Sequence, residues 1–422
     1  MRILIANDGF GDAGGVQSYL DAVIGGLLAR GHALAVLTRD PASNGDQPAS
    51  LAGIPRFSFD VEGLDLATEA VRRWQPDIAF SHNMERLDVE RRLLDTMPVV
   101  KFMHGYFGTC IGGQKMFSVL TARPCGRRFG PACLALYGPG RCGPMDPIAF
   151  VRQYRWAGDQ RSLFSRYRAI VVASDHMKRE YVNNGADAVH VHVNPLFPTH
   201  DESPCNGSST RPTPATLSTL KTPATLSTSE TPATSSIAFF GRMTSLKGGD
   251  LLIDAVAEAG AKLGRAIHVT MAGDGPRRRD WEKRAELLGV SATFVGWLRD
   301  AERWTWLRKA SLLAVPSVWP EPFGLVGLEA GALGVPSIAF DVGGIREWLA
   351  PGESGILVPA NPPRASAFAD ALVRALSQPD ALRRMGEAAR ATARRMSLSH
   401  HLDRLEPILA PGGKSVAHSA GR

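Results

Sequence analysis

The strongest constraint on this chain is that one pattern is written twice. RILIA, ALAVLT, DIAFSH, VVKFMH and AIVVAS are short apolar runs separated by segments of helical spacing such as VQSYLDAVIGGLLARG. The same alternation restarts after residue 236 with SIAFFG, IHVTMAG, ATFVG, LLAVPS and PSIAFD, and GDLLIDAVAEAGAKLG is a helical segment between them. Runs that are apolar at consecutive positions belong to strands covered on both faces, and strands alternating with helices imply a parallel sheet wrapped by helices. The expected fold class is therefore α/β, with two doubly wound parallel-sheet domains. Such sheets bind ligands beyond the carboxyl ends of their strands, so two facing domains imply a cleft.

Between the halves, residues 201–236 are dominated by Ser, Thr, Pro and Ala, with the near-repeat TPATLSTLK, TPATLSTSE, TPATSS. This segment has too little apolar surface to offset its ordering entropy and is expected to be a linker. The expected boundaries are 1–198 for the first domain, 199–236 for the linker and 237–395 for the second domain. HLDRLEPIL then predicts a closing helix within 396–410, and 411–422 reads as a tail.

Hydrophobic residues at 44% and charged residues at 21% describe a soluble globular chain. No apolar run reaches the roughly 18 residues of a membrane span, and MRILIAND is too short for a signal peptide's apolar region. A cytoplasmic protein is expected. The net charge of +7 favours anionic partners. Nucleic acid is not expected among them, because zinc-finger spacing, an aromatic RNA-binding signature and a one-sided basic helix are all missing from the sequence. Cys110, Cys125, Cys133 and Cys142 fall within 33 residues, and Cys205 lies in the linker. Their spacings lack C-x2-C pairs, so they read as ordinary thiols with no metal expected.

Three loops are candidates for holding phosphate. Gly9, Gly11 and Gly14 in GFGDAG match a dinucleotide fingerprint, with Asp40 placed where a ribose-binding acid would stand. Asp8 and Asp12 would face any pyrophosphate there, which weighs against that reading. In AFFGRMTSLKGGD, Arg242 and Lys247 follow a strand and can clasp two phosphates, one by a planar fork and one as a point charge. MAGDGP, which contains Gly273, and FVGWL end further strands and can flank a flat ring.

The third loop is WPEPFGLVGLEAGALGVPSIAF, in which Glu321 and Glu329 interrupt an apolar stretch. Burying an unpaired carboxylate costs several kcal/mol, so the two acids need partners. Pro322 favours a first helical turn and predicts a helix starting near it. Glu321 then sits at the helix mouth and Glu329 about two turns inside. The amides of Phe323, Gly324 and Leu325 become free donors for a phosphate, and the carboxylates suit sugar and ribose hydroxyls.

WPEPFGLVGLEAGALGVPSIAFDVGGIREWL resembles the donor-site motif of glycosyltransferase family 4. The likeness extends in order to GGV at Gly14–Val16, PDIAFSHN at Pro76–Asn83, MHG at Met103–Gly105, FFGRMTSLKG at Phe239–Gly248 and AGDGP at Ala272–Pro276. The resemblance implies the GT-B fold, two Rossmann-like domains with a C-terminal helix crossing back to the first. It implies that Glu329 holds the nucleotide ribose and Glu321 the hydroxyls of the transferred sugar. Arg242 and Lys247 would neutralise the diphosphate, helped by Gly15 and the amides near Gly324 and Leu325, and His104 would sit beside the sugar. Gly273 and Phe323 join the donor-binding set. The family retains anomeric configuration, works without a metal or other cofactor, and is thought to attack on the face that the phosphate leaves.

The implied partners are a nucleotide-sugar donor and a saccharide or lipid-linked acceptor in polysaccharide, lipopolysaccharide or other glycolipid synthesis. The Cys-rich, basic region 105–160 suits a lipid-linked acceptor or the anionic inner face of the cell membrane, or else is a solvated insertion. A GT-B nucleotide-sugar epimerase and a non-catalytic nucleotide-sugar scaffold are the alternatives. The nucleotide, the sugar and the acceptor stay open.

Overall fold

The computed structural model describes residues 1–10, 15–39, 51–117, 123–143, 146–199, 236–298 and 300–410. The repeat linker, the tail, Gly11, Asp12, Gly14, Asp40 and Cys205 lie outside the described residues.

Two parallel sheets carry the chain. The first runs β3-β2-β1-β4-β5-β8-β9, from β1 (Arg2–Ala6), β2 (Ala33–Thr38), β3 (Arg56–Ser58), β4 (Ile78–Ser81), β5 (Val99–Met103), β8 (Ala169–Val172) and β9 (Val191–Val193). β6 (Met116–Phe117) and β7 (Arg123–Pro124) form a separate antiparallel hairpin between β5 and β8. The second sheet runs β12-β11-β10-β13-β14-β15, from β10 (Ser236–Phe240), β11 (His268–Ala272), β12 (Ala292–Gly296), β13 (Leu312–Val315), β14 (Ser337–Phe340) and β15 (Gly355–Val358). Ile3, Leu4 and Ile5 of β1, and Ile237, Leu313 and Ile338 at the centre of the second sheet, have no exposed surface. Consecutive buried positions of this kind are what helices on both faces of a parallel sheet produce.

Strand order reverses between β1 and β4 in the first sheet and between β10 and β13 in the second. Loops leaving such a reversal splay to opposite faces and open a crevice. His82 follows β4 and His104 follows β5, whereas Arg242 and Lys247 follow β10 and Glu321 follows β13. The topology thus delivers the predicted residues to the carboxyl edges of the two sheets. The edge strands β3 and β9 carry Arg56 and His192 and escape a search for apolar runs, because pairing with a neighbour defines them.

The closing helix, Leu398–Leu409, packs on the first-domain helix Gly15–Ala29. A side-chain carbon added at Gly26 would meet Leu402 at 2.5 Å, so the two helices approach through a residue with no side chain. Arg30 pairs with Asp403 and Glu406 at 2.8 and 2.9 Å, and His32 reaches Glu406 at 2.8 Å. His401 is buried against Tyr19, Asn194 and Pro195. The Pro195 carbonyl can only accept, so Nδ1 of His401 carries the proton (2.8 Å), and Nε2 accepts from the Tyr19 hydroxyl (2.9 Å). The helix Leu398–Leu409, which follows the second domain, is thereby held to the first.

Burial pushes the His401 imidazole down to about 4. The unfolded chain takes up this proton below about pH 6.5 and the folded chain only at about 4, so its stabilisation is complete above 6.5 and is lost as pH falls through that window. We predict that unfolding free energy falls by up to about 3 kcal/mol from this group between those pH values, and that His401→Gln flattens the slope. Urea unfolding across pH 4–7 measures it, and an unchanged slope in the variant would contradict the account.

Candidate active site

The second-domain half of the site is built on buried carboxylates that meet cations. Glu321 is 4% exposed, and its Oε1 accepts from Lys247 Nζ and from Ser317 Oγ, each at 2.5 Å. The Lys247 ammonium also lies 5.6 Å from the Trp319 ring centre. Glu329 is 1% exposed; its Oε2 is paired with Arg303 and its Oε1 lies 3.5 Å from Thr199 Oγ1. Arg303 belongs to the helix Asp300–Arg308 and reads in the sequence as an ordinary solvated helix charge. Only its aim across the sheet edge at Glu329 reveals it.

The donor helix begins later than the proline signal predicts. It spans Leu325–Ala332, with Gly324 at its N-cap in the left-handed region (φ 82°), so Pro322 and Phe323 precede it. Gly324 breaks the turn that Pro322 would have opened, and the Phe323 carbonyl is instead taken by Trp348 Nε1 at 2.8 Å. Glu321 therefore stands in the loop ahead of the helix, Glu329 is its fifth residue, and the amides of Leu325 and Val326 lead it. Phe323 is 1% exposed and packs inward, so its side chain is a support of the loop. Gly273 (φ 130°) also supports: a side-chain carbon there would meet the Gly241 carbonyl oxygen at 2.0 Å. That contact fixes the loop from which Arg242 projects, exposed, just beyond β10.

In the first-domain half, Gly15 opens its helix exposed, with clear space around it. His104 stacks on Phe102 at 4.5 Å, and its Nε2 lies 3.0 Å from Nδ1 of the fully buried His82. Nε2 of His82 has no hydrogen-bond partner among the described residues. An orphaned buried N–H is rarer than an orphaned acceptor, so the His82 proton sits on Nδ1 and is donated to His104. His104 then carries its own proton on Nδ1. Burial, followed by the nearby Lys101 and His401, pushes the His104 imidazole down to about 3, so it is a neutral donor at ordinary pH. Beneath it Lys101 and Glu90, both nearly fully buried, pair at 3.2 Å and share Ser81. No spacing in the sequence announces this pair.

The two halves meet directly. Ser174 caps the helix Asp175–Asn183 and its hydroxyl donates to the Pro322 carbonyl at 2.7 Å, while the Asp175 amide donates to Glu347 at 2.7 Å. The Tyr106 ring packs edge-on to Trp319, and its hydroxyl is raised by burial and, among smaller causes, by the charge of Glu321. Tyr106 lies two residues beyond His104, so the strand end bearing His104 faces the Glu321 loop. Asp8 is tied through Oδ2 to the Glu85 amide at 2.8 Å and to Arg39 at 3.1 Å.

Residues 14–196 match the family model described as glycosyl transferase 4-like domain, and residues 230–392 match that of glycosyl transferases group 1. The chain belongs to glycosyltransferase family 4. D-inositol 3-phosphate glycosyltransferase of Gordonia bronchialis is 36% identical to this family 4 chain over 178 residues, 40% of the chain and 38% of that relative. Alpha-D-kanosaminyltransferase of Streptomyces kanamyceticus is 34% identical over 175 residues, 41% of the chain and 44% of the relative. The chain thus spans about two fifths of the length of these curated relatives. The structure of Anabaena Alr3699/HepE in complex with UDP and glucose aligns over 96% of this chain and 98% of its own, with a TM-score of 0.64 at 17% identity. That likeness is one of fold, and the fold is GT-B.

The Arg303–Glu329 contact makes a specific prediction. Arg303→Met leaves a carboxylate with 1% exposure without its arginine and should destabilise the family 4 chain by about 2–3 kcal/mol, less than for a fully enclosed pair because Arg303 is 28% exposed. Adding Glu329→Gln should recover most of the loss. A double-mutant cycle by urea unfolding measures both, and additive losses would show that the pair is not coupled.

Proposed function

We propose that the chain is a retaining glycosyltransferase that moves a sugar from a nucleotide diphosphate sugar to a saccharide or lipid-linked acceptor. The observation that carries this reading is the pairing of Glu321 with Lys247, beside Glu329 and the mouth of the donor helix, at the reversal of the second sheet. Support comes from the relatives, which are named for transfer to inositol 3-phosphate and of kanosamine, and from a structural neighbour that holds UDP and glucose.

The donor's phosphates compete with Glu321 for Lys247. Arg242 and the leading amides of the donor helix add positive potential at the same place, where negative charge grows as the sugar–phosphate bond breaks. Glu321, released from Lys247, accepts hydroxyls of the sugar, and Glu329 accepts those of the ribose beside Arg303. His104 donates from Nδ1 to an oxygen of the sugar. In this reading the fixed cations supply the charge stabilisation, so no metal is required, and the acceptor attacks on the face that the phosphate leaves.

We place the reaction at the cytoplasmic face of a membrane. The helix Pro147–Ser162 exposes Ile148 and Val151 beside Arg152 and Arg155, a pairing of apolar and basic side chains that suits an anionic surface. No helix among the described residues is long and apolar enough to cross a bilayer.

A panel of UDP-, GDP- and ADP-sugars, scored for nucleotide release with and without lipid extract, tests the proposal. Transfer that requires an acceptor supports it. Conversion of donor alone points to an epimerase, and binding without turnover to a scaffold. Glu321→Gln should lower transfer by about 10²–10³-fold while free-nucleotide affinity measured by calorimetry shifts by less than about threefold. Arg242→Gln with Lys247→Met should weaken that affinity by about tenfold or more.

A further inference from the structure

The insertion between β5 and β8 gathers four thiols that the reaction does not use. Cys110 lies in the turn after β5, Cys125 follows β7, Cys133 sits in the first turn of the helix Ala132–Gly140, and Cys142 follows that helix. All four line one small cavity, together with Lys115 and Tyr137. The chain has five cysteines in 422 residues, and four of them meet here from separate pieces of backbone.

Polar contacts tie this insertion to the first domain: Lys115 to Glu180, the Phe129 amide to Asn184 and Arg161 to the Phe129 carbonyl. Its hairpin has two residues in each strand, and its helix ends in Gly138, Pro139 and Gly140, all poor helix formers. Its own core is a satellite of Ile111, Phe129, Tyr137 and Ala157, separate from the main one. A segment with so small a core of its own gains rigidity from a cross-link or a metal.

Lys115 lines the same cavity and is anchored to Glu180 at 2.7 Å, a cation placed to favour the thiolate form that zinc binds. Among the described residues no three His, Cys, Asp or Glu side chains stand together as a metal-ligand group, so the sulfurs must turn inward to close on an ion. All four are partly exposed, which leaves room for that rotation.

We propose that Cys110, Cys125, Cys133 and Cys142 form a four-thiolate zinc site that fixes β6, β7 and the helix Ala132–Gly140 against the first domain. Four S–H protons are released as four Zn–S bonds form, and nothing is oxidised or reduced. The spacing C-x14-C-x7-C-x8-C has no paired knuckle, which is why the sequence does not announce it. The insertion forms one wall of a groove through Phe117, Arg123 and Arg127, with Asp341 and Asn361 of the second domain opposite. The ion would thereby set the width of that groove.

The test uses the full chain, purified under reductant with zinc and without chelator. Elemental analysis should find about one zinc per chain, released by a mercurial thiol reagent into a chromogenic chelator. Cys125→Ser and Cys142→Ser should each lose the zinc, while Cys205→Ser keeps it. Because those variants can misfold, the wild-type chain stripped of metal and checked for native circular dichroism is titrated with Co²⁺. A thiolate-to-cobalt charge-transfer band with tetrahedral d–d bands is the expected result. Absence of both zinc and the cobalt band overturns the proposal. So does full zinc content in a chain with all four cysteines replaced by serine, iron in zinc's place, or mass-spectrometric mapping of these thiols as disulfides.

Discussion

Two carboxylates cannot be buried at the edge of a sheet unless cations are brought to them, and the second-domain half of the cleft is arranged around that requirement. Glu321, 4% exposed, draws Lys247 from the loop after β10, and Glu329, 1% exposed, draws Arg303 from a helix of another βα unit. The loops after β10 and β13 are adjacent because the strand order reverses between those strands. Their approach is close enough that a side-chain carbon at Gly248 would meet the Pro316 carbonyl oxygen at 2.0 Å. The buried charges thereby satisfy one another across loops that lie far apart in the sequence.

The first-domain half solves the same problem with neutral groups over a buried ion pair. Lys101 and Glu90 are paired beneath Ser81, and above them His82, His104 and Tyr19 share ring contacts. Positive charge from Lys101 helps to keep the imidazoles neutral. One side of the cleft therefore offers fixed charge and the other fixed dipoles.

The fold was legible because parallel strands covered on both faces leave short runs of consecutive apolar residues, as in RILIA or LLAVPS, whose length and flanking turn residues set them apart from buried helix. Glu321, Glu329 and Lys247 were legible because acids in an apolar run, or a cation framed by glycines, are costly without a purpose. Arg303, Lys101 and Glu90 were not. Each looks like a surface charge on its own element, and its meaning arises only from a tertiary contact. The start of the donor helix was misread for a local reason: Pro322 permits a helix, but Gly324 in the left-handed region delays it. The four cysteines were visible as a cluster in sequence, while their convergence on one cavity depends on how the hairpin and the short helix fold over each other.

The closing helix has a consequence for how such a chain can vary. Thr199 and Ser236 are each fixed by packed elements, and Leu398–Leu409 returns the far end of the chain to the first domain. The segment joining Thr199 to Ser236 thus closes a loop whose ends are already placed. The entropy of such a closure grows only with the logarithm of its length, about 0.6 kcal/mol for each doubling. Copies of TPATLST can therefore be gained or lost by slippage at little thermodynamic cost, while the two domains keep their register.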